Sequence, residues 1–356
     1  MQISVARPGE LGPGETALWR SMQRQTRSLA NPFLSPEFAI AVDNFRSSAR
    51  VAVLADGPEI VGFFPFERRR FGVGVPIGAG LNDCQGLIHA PAVEWDPQEL
   101  LRACKLAVWQ FGSLVEGQCG FERYTVTVAS APVIDLTDGF TGYREKLAVR
   151  SPDFCRDIAR KTRKLERDAG ELHSVVDSRD IKGLRELLRW KSDQYHRNGW
   201  INVFDRPWIV DLVDYFFSTH TDSFGGLLSI LFAGETPVAA HFGLRSDHVL
   251  AHWFPAYDIR FRKCSPGLIQ FMHMAEELAA VGVDGIDLGQ GTGYKETLKS
   301  HDVVTAEGMV TQGLTASVHQ ARRVFRSWAG RQVKQHPPLL HAADRLSRHY
   351  GRIGGV

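Results

Sequence analysis

Gly285-Ile286-Asp287-Leu288-Gly289-Gln290-Gly291-Thr292-Gly293-Tyr294-Lys295 is the stretch whose reading decides the fold. An apolar strand running into Asp-Leu-Gly-x-Gly-x-Gly matches the first motif of an S-adenosylmethionine-dependent methyltransferase. There, glycines let the backbone approach a cofactor at a strand-to-helix turn. Such a motif opens its sheet, and several strand-helix units must come after it. Here the residues beyond Gly293 include Pro337-Pro338 and a basic tail that runs to Val356. That remainder cannot build a doubly wound domain. Lys295 also precedes Glu296 rather than Ser or Thr, so the stretch is no phosphate loop. It reads instead as the last strand of an α/β fold and the turn that leaves it.

Working back from that strand, one theme occurs twice. Residues 51–66 read as a hairpin around Asp56-Gly57, a strong turn signal between apolar runs. A helix over 97–112 comes next, with Leu100, Leu101, Cys104, Val108 and Phe111 on one stripe, and then a strand over 124–129. The second pass is a meander over 227–255, a helix over 266–281 and a strand over 283–288. Between the two lie a basic helix over 153–168 and an amphipathic helix over 181–197 that buries Leu184, Leu187 and Leu188. In the basic helix Arg156, Arg160, Arg163 and Arg167 share one face, where Asp153, Asp157 and Glu166 can pair them. The expected organisation is two α/β units, residues 1–150 and 151–315, and then a basic helical tail, 316–356.

Composition narrows the class. Apolar residues make up 44% of the chain and charged ones 23%, ordinary for a globular protein. No run of 18 apolar residues occurs, so no membrane-spanning helix is expected. Met1 to Pro8 lacks the apolar core of a secretion signal. The five cysteines are scattered without metal-ligand spacing, which suits a reduced cytoplasm and leaves no metal site expected. From His319 to Val356 there are seven Arg and one Lys against a single acid, Asp344. Val324, Phe325 and Trp328 make that tail amphipathic, so peripheral contact with an anionic membrane is expected rather than nucleic-acid binding.

Two groups of residues carry chemistry. Ser265-Pro266-Gly267 is a helix start, with Ser265 as expected N-cap, and Arg260, Arg262 and Lys263 stand just before it. Free N–H groups at a helix N-terminus beside three cations form a ready anion site. In the preceding hairpin, a two-residue turn at Ser246-Asp247 places His241 directly opposite His252, on the face away from Val238, Ala240 and Phe242. An imidazole there can take a proton from an ammonium nucleophile. Tyr294 and Lys295 come after the last strand, where a phenol can protonate a thiolate and an ammonium can hold an anion. Asp287 alternates with Ile286 and Leu288 and so faces a cleft or water.

These segments, in order, resemble the CelD/BcsL branch of the GNAT superfamily, a tandem group similar in layout to the FemABX aminoacyl transferases. The resemblance runs from Asn31-Pro32-Phe33-Leu34-Ser35-Pro36 through Leu81-Asn82-Asp83-Cys84-Gln85-Gly86 and Pro132-Val133-Ile134-Asp135-Leu136. It continues in Pro237-Val238-Ala239-Ala240-His241, Pro255-Ala256-Tyr257-Asp258 and Ser265-Pro266-Gly267, and closes on Asp287 to Lys295. The glycine-rich 289–293 and Cys84 depart from the pattern. The resemblance implies two GNAT-like domains, each a mixed twisted sheet flanked by helices, around a shared cleft. It further implies acyl-CoA as co-substrate, gripped by Arg260, Arg262, Lys263, Ser265, Gly267 and Lys295. His241 would be the base, with His252 or Asp83 as substitutes. Backbone N–H groups near Pro255 would hold the thioester oxygen, and Tyr294 would protonate the thiolate. The implied acceptor is an amine of an envelope lipid, such as a sphingoid base, or of an envelope amino sugar. A methyltransferase and a non-catalytic glycan- or partner-binding module are the readings from other classes.

Overall fold

The computed structural model describes residues 1–312 apart from 79, 92 and 292. The basic tail of residues 316–356, with Val324, Phe325 and Trp328, lies outside the described residues. The first half runs β1 (Gln2–Ala6), α1 (Pro13–Gln25), α2 (Pro36–Phe45), β2 (Ala49–Asp56), β3 (Glu59–Arg69) and β4 (Val73–Pro76). It goes on through β5 (Ile88–His89), α3 (Pro97–Ala103), β6 (Val108–Leu114) and β7 (Thr125–Asp135). The second half comprises α4 (Gly139–Arg150), α5 (Pro152–Ala169), β8 (Leu172–Val175), α6 (Ile181–Arg197), α7 (Pro207–Phe217), β9 (Phe224–Ala233) and β10 (Thr236–Ser246). It closes with β11 (Val249–Tyr257), α8 (Pro266–Ala280), β12 (Gly285–Asp287), α9 (Tyr294–Leu298) and β13 (His301–Thr311).

Local chemistry sets many of these limits. Ser35 caps α2 by accepting from the Phe38 N–H at 3.2 Å, and Pro36 suits the first helical position. Asp180 caps α6 by accepting from the Lys182 N–H, and Leu184, Leu187, Leu188 and Trp190 pack that helix against the sheet. The stripe expected to carry a helix from Pro97 to Gly112 is split. The helix stops at Ala103, Lys105 takes a left-handed φ of 53°, and Val108–Leu114 is a strand. Its Val108, Trp109, Phe111 and Leu114 belong to a strand buried on both faces, whose apolar run mimics a helical stripe.

The thirteen strands among the described residues form one mixed sheet, in the path β1-β2-β3-β4-β6-β13-β7-β12-β11-β10-β9-β8, with β5 on β3. Each half contributes an antiparallel meander that ends in a parallel pair, β4 with β6 and β11 with β12. The last strand of each half then crosses over. β7 pairs with β12, β13 pairs with β6, and β7 and β13 pair with each other over His301–Gly308 and Thr125–Val133. The halves are thus joined by reciprocal exchange of their final strands. Helices cover the two faces: in the second half α6 and α7 pack with Leu228, Ile230 and Phe242, and α8 packs with Leu227, Leu250 and Ile286.

Gly308 is where the exchanged β13 lies tightest. A Cβ there would stand 2.2 Å from the Tyr124 carbonyl oxygen and 2.4 Å from the Phe111 ring. Gly308→Val is therefore expected to destabilise the protein by about 2–4 kcal/mol, an overpacking penalty against backbone that cannot yield. The urea midpoint reads it, and an unchanged midpoint would exclude this seating of β13.

Candidate active site

The hairpin bearing the two histidines differs from the expected register. Arg245 pairs with Leu250, so the turn is longer than two residues, and a bulge between Phe242 and Leu244 puts His241 opposite Pro255. The rings nonetheless meet, because the bulge re-aims the side chain of His252. They stack with centroids 4.2 Å apart and an interplanar angle of 12°. The face they share is covered by α8, with Phe271 edge-on to His252. His241 is 0% exposed and neither of its ring nitrogens has a hydrogen-bond partner among the described residues. Burial, with the Lys191 charge nearby, pulls its pKa down to about 3, and His252 is held well below its ordinary value by burial and by His241. Both imidazoles are neutral at any physiological pH.

The parallel pairs at the ends of the two meanders are alike in build and unlike in content. β4 pairs with β6 only at Val73–Val108 and Gly74–Trp109. Past that point the chain itself fills the opening. Gln85 bridges Leu114, its backbone bonds Ser113 and Val115, and its side-chain oxygen accepts from the N–H groups of Gly112 (2.9 Å) and Ser113 (3.2 Å). A hollow lined by Leu34, Pro65, Ile77, Asn82, Gln85 and Trp109 borders that plug. In the second half β11 pairs with β12 at three positions, ending at Ala251–Asp287, and runs on to Tyr257. Among the described residues no strand pairs with β11 there on the β12 side. A side chain reaches it instead: the Lys191 ammonium donates to the Pro255 carbonyl at 3.0 Å, while the indole N–H of Trp253, on β11 itself, donates to the Leu81 carbonyl. Pro255 has no N–H, so it cannot itself donate to a thioester oxygen.

A charged cluster gathers at this second wedge, drawn from both halves. Asp287 accepts from the Asn31 amide at 2.6 Å and from the Gly289 N–H at 2.8 Å. Asp83, from the loop after β4, faces Gly289, where a Cβ would stand 3.0 Å from its carboxylate. Gly289 also holds a φ of 66°, which strains any other residue. Lys295 donates to the carbonyl of Gln290 at 2.8 Å. Asp83 is open to solvent yet walled in by protein. That surrounding and the negative Asp287 push its pKa up to about 6, with Lys295 opposing. Burial raises Asp287 too, while burial lowers Lys295 against the pull of both acids. Burial and the Asp83 charge also raise Tyr195, on α6. Tyr294 opens α9, is 39% exposed, and is pushed by burial to about 12, so its phenol stays protonated and able to donate.

The anion end of the site is built differently from its sequence reading. Ser265 is not a side-chain N-cap. It sits in the left-handed region (φ 50°), and its hydroxyl takes a bond from the Lys161 ammonium at 2.9 Å. Arg260 folds back on Asp258, which removes it from a free cation cluster. Arg262 and Lys263 remain exposed, and Gly267 lies against the Tyr257 ring at the first turn of α8. In the arginine stripe of α5, Arg156 pairs with Asp153, Arg160 with Asp157 and Arg167 with Asp168, all within the helix.

The sequence reading missed Lys191, Lys161, Asn31 and Tyr195. Lys191 carried a signal: it falls at helical spacing on the stripe of Leu184, Leu187 and Leu188, where a lysine has no ordinary place. Asn31 showed none, because its partner lies 256 positions away. No group of three metal-ligating side chains occurs among the described residues.

Residues 152–296 match the family of acetyltransferase (GNAT) domains. No curated protein matches the chain. In structure it is similar to the C-terminal domain of a protein described as a lysylphosphatidylglycerol synthetase from Agrobacterium fabrum (TM-score 0.51, 9% identity, 86% of this chain and 95% of that one). It is also similar to a protein of unknown function from Bacteroides thetaiotaomicron VPI-5482 (TM-score 0.51, 9% identity, 87% and 100%). A third similar structure is FemX (TM-score 0.50, 10% identity, 77% and 90%). At these identities the structural likeness speaks to fold, a mixed α/β fold with a large twisted sheet flanked by helices. The sequence match places a GNAT-type acyltransferase domain in the second half.

The Asn31 amide supports the charged form of Asp287, so Asn31→Ala is expected to lower stability by about 1–3 kcal/mol at pH 7. Its bond lowers the Asp287 pKa, and that contribution fades as pH falls through the pKa of the folded state. The stability gap between parent and variant should therefore be smaller at pH 4 than at pH 7, the remainder being the cap that Asn31 Oδ1 gives the Phe33 N–H. An equal gap at both would mean the amide does not act on the carboxylate.

Proposed function

We propose that the protein is an acyl-CoA-dependent N-acyltransferase, with the donor in the wedge between β11 and β12 and the amine acceptor entering past Asp83. The supporting observation is the contrast between the two wedges of one sheet. The first is closed by Gln85; the second has charged groups from both halves at its mouth and lies within the residues that match a GNAT domain.

In this reading residues 151–315 hold the donor and residues 1–150 help hold the acceptor. Arg262 and Lys263, the Gly267 N–H and Lys161 beside Ser265 form the grip for the diphosphate of coenzyme A. Asp83 is the base. It is the one of the three candidates that combines solvent access with proton affinity near neutrality, whereas His241 and His252 are dry and hold protons too weakly. The two histidines shape the wedge wall under α8. Tyr294 stays protonated and faces the acceptor side as a hydrogen-bond donor. The acceptor is an amine of an envelope lipid, such as a sphingoid base, or of an envelope amino sugar, as the likeness to the CelD/BcsL branch implies. The basic tail of residues 316–356 suits contact with an anionic membrane surface from the cytoplasmic side.

The direct test is thiol release from acetyl-CoA and palmitoyl-CoA with amine acceptors of both kinds. No release with any donor, together with thermal stabilisation by S-adenosylmethionine alone, would overturn the reading in favour of a methyltransferase. A base must be deprotonated, so kcat/KM should fall as pH drops through about 6. Asp83→Asn should reduce kcat by roughly 10²–10⁴-fold and abolish that acid limb. Because the Asp83 pKa is raised on folding, its charged form opposes folding above pH 6, so the variant should melt no lower than the parent at pH 7. The double change Arg262→Gln with Lys263→Gln should raise KM for acyl-CoA by roughly 3–10-fold and leave kcat nearly intact, as expected for loss of exposed charges that act in binding alone.

A further inference from the structure

Lys191 is a buried cation without an anion. It lies on α6, is 9% exposed, and its ammonium has one hydrogen-bond partner among the described residues, the Pro255 carbonyl. An ammonium offers three N–H donors, and a charge taken out of water is strongly disfavoured unless an opposite charge meets it. No acidic side chain pairs with Lys191 among the described residues. None of the described groups that face it carries a negative charge. Lys295, at the start of α9, repels it; His241 of β10 and His252 of β11 are neutral; the Tyr195 ring, one turn on, lies 5.4 Å from its ammonium. Asp83 and Asp287 act on Lys295, and neither is among the charges that shift Lys191. A hydrophobic residue of the same length would pack against Leu187 and Leu188 at less cost.

The position of the charge explains it. Pro255 lies on the part of β11 that runs past the last pairing with β12, and two residues further on Tyr257 touches Gly267 at the anion end. Lys191 therefore projects from α6 into the wedge itself. We propose that Lys191 holds the coenzyme A thiolate as it leaves the thioester, so that the missing counter-ion is the departing sulfur before it is protonated. This rests on the acyl-CoA reading given above.

In the reaction the acceptor ammonium gives one proton to the Asp83 carboxylate, and the free amine attacks the thioester carbon. The C–N bond forms while the carbonyl π pair moves to oxygen. That pair returns, the C–S bond breaks, and its electrons go to sulfur, next to the Lys191 ammonium. The tetrahedral nitrogen loses its second proton as sulfur gains one, and the proton on Asp83 passes to water. One proton is released per amide formed. Lys191 meets sulfur only after charge has developed there, so it favours the transition state over the bound thioester.

Free coenzyme A tests this without any acceptor. Its thiol is titrated by the ultraviolet absorbance of the thiolate, bound to the parent, to Lys191→Met and to Lys191→Arg, with binding confirmed separately by the rise in melting temperature. In the parent the bound thiol should titrate at least about one unit below the free thiol, as thiols do beside a lysine. Lys191→Met should still bind coenzyme A, melt no lower than the parent, and lose the shift; Lys191→Arg should retain part of it. Identical thiol titrations in the parent and Lys191→Met, with both proteins binding, would overturn the role of Lys191 and leave the acyltransferase reading standing. Failure of coenzyme A to stabilise even the parent would remove that reading first, and this inference with it.

Discussion

The antiparallel pairing of β7 with β13 is the contact on which the rest depends. Each of these strands is made by one half of the chain and completes the sheet of the other. Through β7 the first half fixes β12, and the end of β12 carries Asp287. Through β13 the second half closes β6, against which Gln85 plugs the unused wedge. The amide of Asn31 then reaches Asp287, and Asp83 reaches Gly289. The two carboxylates at the second wedge are thus held by contacts between the halves. A hinge between rigid halves would uncouple these contacts, and a continuous hydrogen-bonded sheet forbids one.

The electrostatics of the wedge derive from its depth. Water is scarce, so like charges raise and lower one another's proton affinity strongly. Burial and Asp287 push Asp83 upward, burial raises Asp287, Lys295 tempers both, and burial and Lys295 together lower Lys191. Such an arrangement opposes folding and is the kind of strain found where chemistry is done. The neutral histidines play the opposite part. Both are neutral, and the ring nitrogens of His241 have no hydrogen-bond partner among the described residues, so they give the wedge a wall that does not compete for protons.

How much of this is legible in the sequence depends on how far the deciding contact reaches. The limits of α6 and the β2–β3 hairpin are legible because capping residues and turn residues act within a few positions. The order of hairpin and helix in each half is legible for the same reason. β13 leaves no clear trace, since His301–Thr311 becomes a strand only by lying between β6 and β7. The strand nature of Val108–Leu114 is hidden because burial on both faces erases alternation. Of the site, the stretch from Asp287 to Lys295 and the α8 start stand out locally, while the bulge that stacks His241 on His252 and the approach of Asp83 to Gly289 are products of tertiary packing. Lys191 lies between these cases: visible as a misplaced polar residue, interpretable only once the wedge is seen.

The strand exchange also sets a timetable for synthesis. β6 leaves the ribosome with one edge unpaired and β7 with both, and the strand that lies between them, β13, comes about 170 residues later. At ~5–20 residues per second that interval is roughly 10–35 seconds. Throughout it the nascent first half presents bare strand edges that include Val126 and Val128, a surface prone to pair with any extended chain. The same architecture that joins two halves into one site makes the growing polypeptide a natural client for a holding chaperone.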